Sequence, residues 1–324
     1  MAELVDAHDS KSCIERFESS ILSPGTMKSK VLVILGPTAT GKSNLAVILA
    51  RKFNGEVISA DSRQVYKGLN LGTGKITKKE MKGVRHHLLD VVSPRKVFTV
   101  SDYQKLAGHV VEQILAKGKL PIICGGTGLY IDSILSGQKF PEVPPNLKLR
   151  RQLERKTTAE LFEQLKKLDP RRASQIDKNN PRRLIRAIEI ARAIGKVPEF
   201  NFFGSKYNVL KIGLNLPAEK LKKRISIRLF ARIREGMIGE ATKLHRAGLS
   251  WKRMEDLGLE YRFQAKYLRG EISKEEMVKQ LESAIWHYAK RQMTWFRRDK
   301  NIKWFEPKDS SRIVQTVRKF ILAE

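Results

Sequence analysis

The first sustained apolar segment of the chain is Val31-Leu32-Val33-Ile34-Leu35, rich in β-branched residues and ended by Gly36-Pro37. A short continuous apolar run closed by turn residues is the mark of a strand buried on both faces, as in a parallel sheet. Leu45, Ala46, Ile48, Leu49 and Phe53 follow at roughly helical spacing, and Asn54-Gly55 ends that helix. Further strands are predicted over residues 56–59, 87–92 and 120–124, with a helix over 101–117 between the last two. This alternation predicts an α/β fold with an open, mainly parallel sheet that takes its ligands at the carboxyl ends of the strands.

The pattern changes after Gly137. Pro141, Pro144 and Pro145 form a linker, and the next stretch holds helical segments without a convincing strand. Its best helices are predicted at 148–168 and 181–195, the second opening with Pro181 in the first turn, where proline is tolerated. Residues 139–208 therefore read as a helical insertion. Val209-Leu210-Lys211-Ile212-Gly213-Leu214 returns the chain to the sheet, so that 27–138 and 209–324 make one core, finished by basic helices.

Residues 1–26 do not join this pattern. They are acidic, lack periodicity and end in Ser-Pro-Gly-Thr before Met27. No basic n-region or apolar h-region marks a signal peptide. The expectation is a non-native or disordered leader, with translation starting at Met27. The stretch Arg16-Phe17-Glu18-Ser19 back-translates into something like the T-arm of a bacterial leucine-tRNA gene.

Composition sharpens the picture through charge. The chain has 324 residues, and 63 Lys+Arg against 34 Asp+Glu give a formal net charge of +29. The excess is not a tail: residues 27–138 hold 17 basic and 7 acidic side chains, 139–208 hold 17 and 8, and 209–324 hold 27 and 14. Basicity spread this way points to a polyanionic partner embraced by the whole molecule. No apolar run is long enough for a membrane span. Two cysteines, Cys13 and Cys124, exclude a disulfide scaffold and fit a reducing, cytoplasmic setting.

Gly36-Pro37-Thr38-Ala39-Thr40-Gly41-Lys42-Ser43 matches the GxxxxGK[ST] phosphate loop between a predicted strand and a predicted helix. Backbone amides and the helix dipole cradle phosphate, Lys42 neutralises charge, and Ser43 can hold Mg²⁺. With the sheet pattern, this predicts a P-loop NTPase-like parallel-sheet core with a helical inserted domain. An ordinary phosphate-loop NTPase places a metal-binding Asp at the end of a later strand; here the strand at 120–124 ends in Cys124-Gly125-Gly126. The loop thus says diphosphate without saying ATP hydrolysis. Asp61, after the second strand, is expected at the same sheet edge, where a carboxylate acts as general base, as metal ligand or merely as a helix cap.

Six separated motifs carry a family resemblance: GPTATGKS at 36–43, SADSRQVYKGLNLGTGK at 59–75, GVRHHLLDVVSP at 83–94, GGTGLYI at 125–131, NNPRRLIRAIEI at 179–190 and YAKRQMTWFRRD at 288–299. In this order they resemble the isopentenyltransferases, most closely the bacterial tRNA dimethylallyltransferases. The resemblance implies transfer of a dimethylallyl group from dimethylallyl diphosphate to the exocyclic N6 amine of the adenine on the 3′ side of a tRNA anticodon. It further implies Mg²⁺ as cofactor and a monomer meeting the tRNA anticodon stem-loop. Asp61, Thr38 and Lys42 are the catalytic candidates. Residues Gly36 to Ser43 would hold the diphosphate, joined by Arg228 or Arg224 from a stretch that is similar to the family's RIxxR; both arginines fit a solvated helix face equally well.

For the tRNA, the resemblance implies contacts from Asp61, Ser62, Arg63 and Gln64, from Thr127, from Arg150, and from Arg182, Arg183, Leu184, Ile185 and Arg186. A solvated helix face is the plain alternative for the three arginines of the last group. Trp295 and Phe296 read as core anchors, whereas Arg291, Arg297 and Arg298 can reach phosphate. His86 and His87 have no third ligand spaced to join them and read as structural. The competing functions are an adenylate isopentenyltransferase of cytokinin biosynthesis, a phosphate-loop nucleotide kinase, and a non-catalytic RNA-binding protein; GGTGLY and the basic insertion favour tRNA over free nucleotide.

Overall fold

A computed structural model describes residues 28–137, 140–199 and 205–323. The proposed leader, residues 1–26, and Met27 lie outside the described residues. Six strands form one sheet: β1 (Lys30–Leu35), β2 (Gly55–Ser59), β3 (His86–His87), β4 (Leu120–Gly125), β5 (Asn208–Leu214) and β6 (Ile302–Phe305). Their order is β3-β2-β4-β1-β5-β6, and every pairing is parallel. All carboxyl ends therefore share one edge.

β1 explains itself from its sequence. It pairs on both sides, with β4 and β5, and its alternate residues feed two cores. Val31, Val33 and Leu35 join Tyr103, Val111 and Ile131 on one face, while Leu32 and Ile34 join Leu45, Leu49 and Ile313 on the other. A strand with both faces covered must be apolar throughout. The chain leaves β1, forms the helix Lys42–Lys52 and enters β2, which lies on the far side of β4. The crevice between β1 and β4 opens at this crossing, the usual ligand position in such sheets.

Two further clusters complete the molecule. Leu161, Leu165, Leu184 and Ile188 form a core among the helices Leu147–Leu153, Thr158–Leu168, Pro170–Gln175 and Pro181–Ile194, which lie between β4 and β5. Leu221, Ile225 and Leu229 of the helix Ala218–Arg234 pack with Leu281, Ile285 and Ala289 of the helix Lys274–Phe296, and this cluster includes Ala39 of the phosphate loop. The C-terminal helices thus close over the loop end of the sheet.

Three expectations need correction. The single helix predicted at 148–168 is two, because Thr157 builds a capping box with Glu160 and starts a new helix at Thr158. The strand predicted over 87–92 stops at His87: Leu88 and Asp90 take φ of 61° and 56°, which no strand accommodates. The region after residue 214 is not wholly helical, since Ile302–Phe305 adds an edge strand to β5.

Candidate active site

β1 delivers the chain to Gly36 at φ +137°, where a Cβ would lie 2.3 Å from the Leu214 carbonyl oxygen. Only glycine lets the loop leave the sheet this close to β5. Ala39 (φ 63°) and Gly41 (φ 93°) then turn the backbone through the left-handed region. The helix Lys42–Lys52 begins with no side-chain cap and no acidic residue in its first turn. Its amino-terminal N–H groups and dipole are left for an anion. The loop braces itself through Pro37, whose carbonyl accepts from Thr40 Oγ1 (2.9 Å) and Lys42 Nζ (2.6 Å).

A cavity of about 410 Å³ opens beside this loop, lined by Thr38, Ala39, Gly41, Lys42 and Ser43 on one side and by Asp61, Arg224 and Arg228 on others. Both arginines proposed from sequence thus reach it. Of the loop residues named from the motif, Gly36, Pro37 and Thr40 do not line the cavity; they shape the loop instead. Burial pulls the Lys42 ammonium down to about 8, with Arg228 pushing the same way and Cys124 and Asp61 opposing. Burial also pushes the Cys124 thiol up to about 12. The Arg228 guanidinium is lowered by burial and by its neighbour Arg232, and no ion pair engages it among the described residues. A site whose cations are held against each other gains most from a dianionic guest.

Asp61 follows β2. Its Oδ1 accepts the backbone amides of Arg63 (2.8 Å) and Gln64 (3.3 Å), which fixes the turn, while Oδ2 has no protein donor among the described residues. The capping reading of Asp61 is met on Oδ1, and Oδ2 is left for a guest. Asp61 also lines a second cavity, of about 330 Å³, with Ser62, Arg63, Arg262 and Arg291. Thr38, Asp61, Thr73 and Tyr288 line both cavities. They mark the seam where a guest of one would meet a guest of the other.

Part of the seam is fixed by Glu240 and Arg232, which lie outside the six motifs. Glu240 accepts the amides of Asn70, Leu71 and Gly72 and the hydroxyl of Tyr261, and Arg232 donates to the carbonyls of Leu71 and Gly72. This holds the segment carrying Thr73 and Gly74. Thr127 Oγ1 accepts the Ser62 amide at 3.1 Å and lies within hydrogen-bonding reach of Tyr288, so Thr127 supports the seam from behind. Tyr288 and Gln292 stand one helical turn apart inside the YAKRQMTWFRRD motif, a spacing that puts them on one face.

The insertion residues divide sharply. Arg182 and Arg183 are exposed at the start of the helix Pro181–Ile194, capped by Asn180. Leu184 and Ile185 are buried in the helical core, so their side chains cannot meet an RNA surface. Arg150 and Arg186 both bind the carboxylate of the buried Glu189. They are structural clamps first, about one-third exposed. Trp295 packs against the main core and donates Nε1–H to Asp132 Oδ2 at 2.9 Å, and Phe296 is buried, as core anchors should be. His87 Nε2 donates to the Glu56 carboxylate at 2.7 Å, well away from the loop edge. Among the described residues no helix is long and apolar enough to cross a membrane.

A parallel α/β sheet with a phosphate loop at its switch point, cations around the loop and a second cavity sharing four residues defines a phosphate-loop protein built to bring two substrates together. The chain belongs to the IPP transferase family, whose profile matches residues 64–299. It is 41% identical over 300 residues to the tRNA dimethylallyltransferase of Anoxybacillus flavithermus, covering 91% of this chain and 96% of that one. It is 46% identical over 286 residues to tRNA dimethylallyltransferase 2 of Treponema denticola, covering 86% and 96%. Among solved structures, the tRNA isopentenylpyrophosphate transferase of Bacillus halodurans matches with TM-score 0.69 at 37% identity, over 91% of this chain and 97% of that one. A eukaryotic dimethylallyltransferase acting on tRNA matches with TM-score 0.79 at 26% identity, over 90% and 79%.

Proposed function

We propose that this protein transfers the dimethylallyl group of dimethylallyl diphosphate to the exocyclic N6 amine of the adenine 3′-adjacent to a tRNA anticodon. The observation that supports the reading is the seam: one cavity gathers Lys42, Arg224 and Arg228 beside the phosphate loop, the other is lined by Ser62, Arg63, Arg262 and Arg291, and Asp61 and Thr38 belong to both. The names of the relatives supply the two substrates. The wide basic surface suits the anticodon stem-loop, with the exposed Arg182 and Arg183 on the helical insertion as phosphate contacts.

An anticodon-loop base is stacked, so the adenine must be extruded to enter the second cavity, whose 330 Å³ falls within the range of roughly 300–1,000 Å³ usual for small-ligand sites. There its amine nitrogen attacks C1 of the dimethylallyl group. The new N–C bond forms as the C–O bond to diphosphate breaks, and the leaving group carries away the electron pair. The nitrogen gives up a proton, and Asp61 Oδ2 is the base at the seam. Thr38 holds the reacting end, while Lys42, Arg224, Arg228 and the helix amides of residues 41–43 stabilise the charge that develops on diphosphate.

The Ser43 hydroxyl lines the cavity beside the loop and is a hard oxygen donor of the kind Mg²⁺ takes, with the oxygens of a bound diphosphate to complete its shell. Bound there with Ser43, the ion would neutralise charge on the departing diphosphate. A free-nucleotide acceptor would find the same seam but no use for the basic insertion. The deciding assay incubates the protein with Mg²⁺, labelled dimethylallyl diphosphate, and either unmodified tRNA or AMP. Label in tRNA is expected; label in AMP and not in tRNA would overturn the proposal.

A further inference from the structure

Gln292 is buried on the helix Lys274–Phe296, with both ends of its amide engaged. Oε1 accepts the Thr38 backbone amide at 2.9 Å, and Nε2 donates to the Gly126 carbonyl at 2.9 Å. A reversed amide would set donor against donor and acceptor against acceptor, so the partners determine the orientation. Gly126 is a glycine for the same contact, since a Cβ there would lie 2.1 Å from Gln292 Nε2. One side chain from near the end of the chain thus ties the phosphate loop to the turn after β4. It does so at Thr38, the loop residue that lines both cavities.

We infer that Gln292 is a positioning residue for group transfer: it fixes the Thr38 backbone so that the Thr38 side chain stands at the seam between donor and acceptor. The inference rests on the transferase reading above. The Thr38 amide is committed to Gln292, so Thr38 serves the reaction through its hydroxyl and through its place in the loop, not as one more backbone donor to phosphate. The Thr38 amide and the Pro37 carbonyl that holds Thr40 and Lys42 are one peptide unit, but the uncapped helix start and Arg224 and Arg228 grip a diphosphate without Gln292. Loss of Gln292 should therefore misplace the reacting end while leaving most of the grip on diphosphate in place.

Gln292→Met keeps length and packing and removes both hydrogen bonds. Misplacement by about 1 Å costs on the order of 100-fold in rate, so kcat should fall at least ~30-fold while KM for either substrate moves less than about threefold. Gln292→Glu keeps an acceptor for the Thr38 amide but sets a carboxylate oxygen against the Gly126 carbonyl and beside the diphosphate cavity, so in this variant KM for dimethylallyl diphosphate should rise as well. If Gln292 acts through Thr38, the double variant Thr38→Ala/Gln292→Met should be no slower than Thr38→Ala alone. Hydrogen exchange at the peptide containing Thr38 should quicken in Gln292→Met and not in Gln292→Glu. Unchanged kcat or a loss carried by KM in Gln292→Met, full additivity in the double variant, or unaltered exchange would each overturn the inference. Should wild-type protein transfer no label to tRNA, the functional reading fails, and the exchange comparison still tests the tie to Thr38.

Discussion

Arg150 and Glu189 form a two-pronged pair inside the helical insertion: Nε and Nη2 of Arg150 reach the two carboxylate oxygens at 3.0 and 2.8 Å. The Asn146 amide and Arg186 complete the set around Glu189, whose side chain is 1% exposed. A carboxylate so enclosed depends on its partners, and removing one leaves charge without compensation. Arg150→Ala should therefore destabilise the protein by about 2–3 kcal/mol, below the roughly 3–5 kcal/mol of a fully buried pair because both arginines are about one-third exposed. Urea unfolding measures it. A stability loss under about 0.5 kcal/mol would return Arg150 to the class of free surface cations.

Arg182 and Arg183 predict the opposite behaviour. Both are exposed, and neither forms an ion pair among the described residues. Their replacement by alanine should leave stability within about 0.5 kcal/mol. It should weaken tRNA binding and flatten the dependence of log K on log salt by about one unit for each phosphate no longer neutralised. An unchanged slope in filter-binding titrations from low to moderate salt would remove both from the interface.

The contrast between these arginines shows what a sequence makes legible. The apolar run of β1, the loop glycines and the helix after them follow from local sterics and periodicity, and their boundaries fall within a residue or two of those expected. The split of 148–168 also has a local signal, Thr157 three residues before Glu160, which the apolar spacing masks. Leu184 and Ile185 sit inside the stretch that the family resemblance assigns to tRNA, although their apolar side chains serve the core beneath it. Glu240 lies outside the motifs, and Tyr288 and Gln292 lie in one that does not reveal their partners, because their roles come from contacts with segments far away in the chain. Glu240 and Leu71, for example, are 169 positions apart.

Asp61→Asn is the sharpest test of the seam. The substitution keeps a side-chain oxygen for the amides of Arg63 and Gln64, so the turn should persist. It removes the base. Transfer should fall by about 10²–10⁴-fold, the usual contribution of a positioned base, with tRNA affinity little changed. Near-normal turnover at saturating substrates would take Asp61 out of the proton-accepting role.

Glu240→Gln tests the clamp on the Thr73 segment. The amide would keep one acceptor oxygen for three backbone donors and present an NH₂ group to the others. Hydrogen bonds to a charged acceptor contribute about 1.5–3 kcal/mol each and fall to about 1 kcal/mol for a neutral one. A stability loss of about 1–3 kcal/mol is expected, with a rise in KM as the shared wall of both cavities loosens. A variant as stable and as active as wild type would show that the wall is held by Arg232 alone.

Lys42 ties donor binding to pH. Burial lowers its pKa to about 8 in the free protein, and a bound diphosphate favours the charged ammonium and raises it again. The complex therefore holds its proton to higher pH than the free protein does. Below pH 8 both states carry the charge and affinity should be nearly flat. Above pH 8, binding must take up a proton, and affinity should fall by up to about tenfold per pH unit until the bound pKa is reached. Calorimetric titration of dimethylallyl diphosphate in two buffers of different ionisation enthalpy would detect that uptake at pH 9 and its near absence at pH 7. In Lys42→Met the overall affinity should be lower and the fall above pH 8 should disappear. A pH dependence that survives the substitution would assign the titration to another group at the cavity and return Lys42 to a fixed charge.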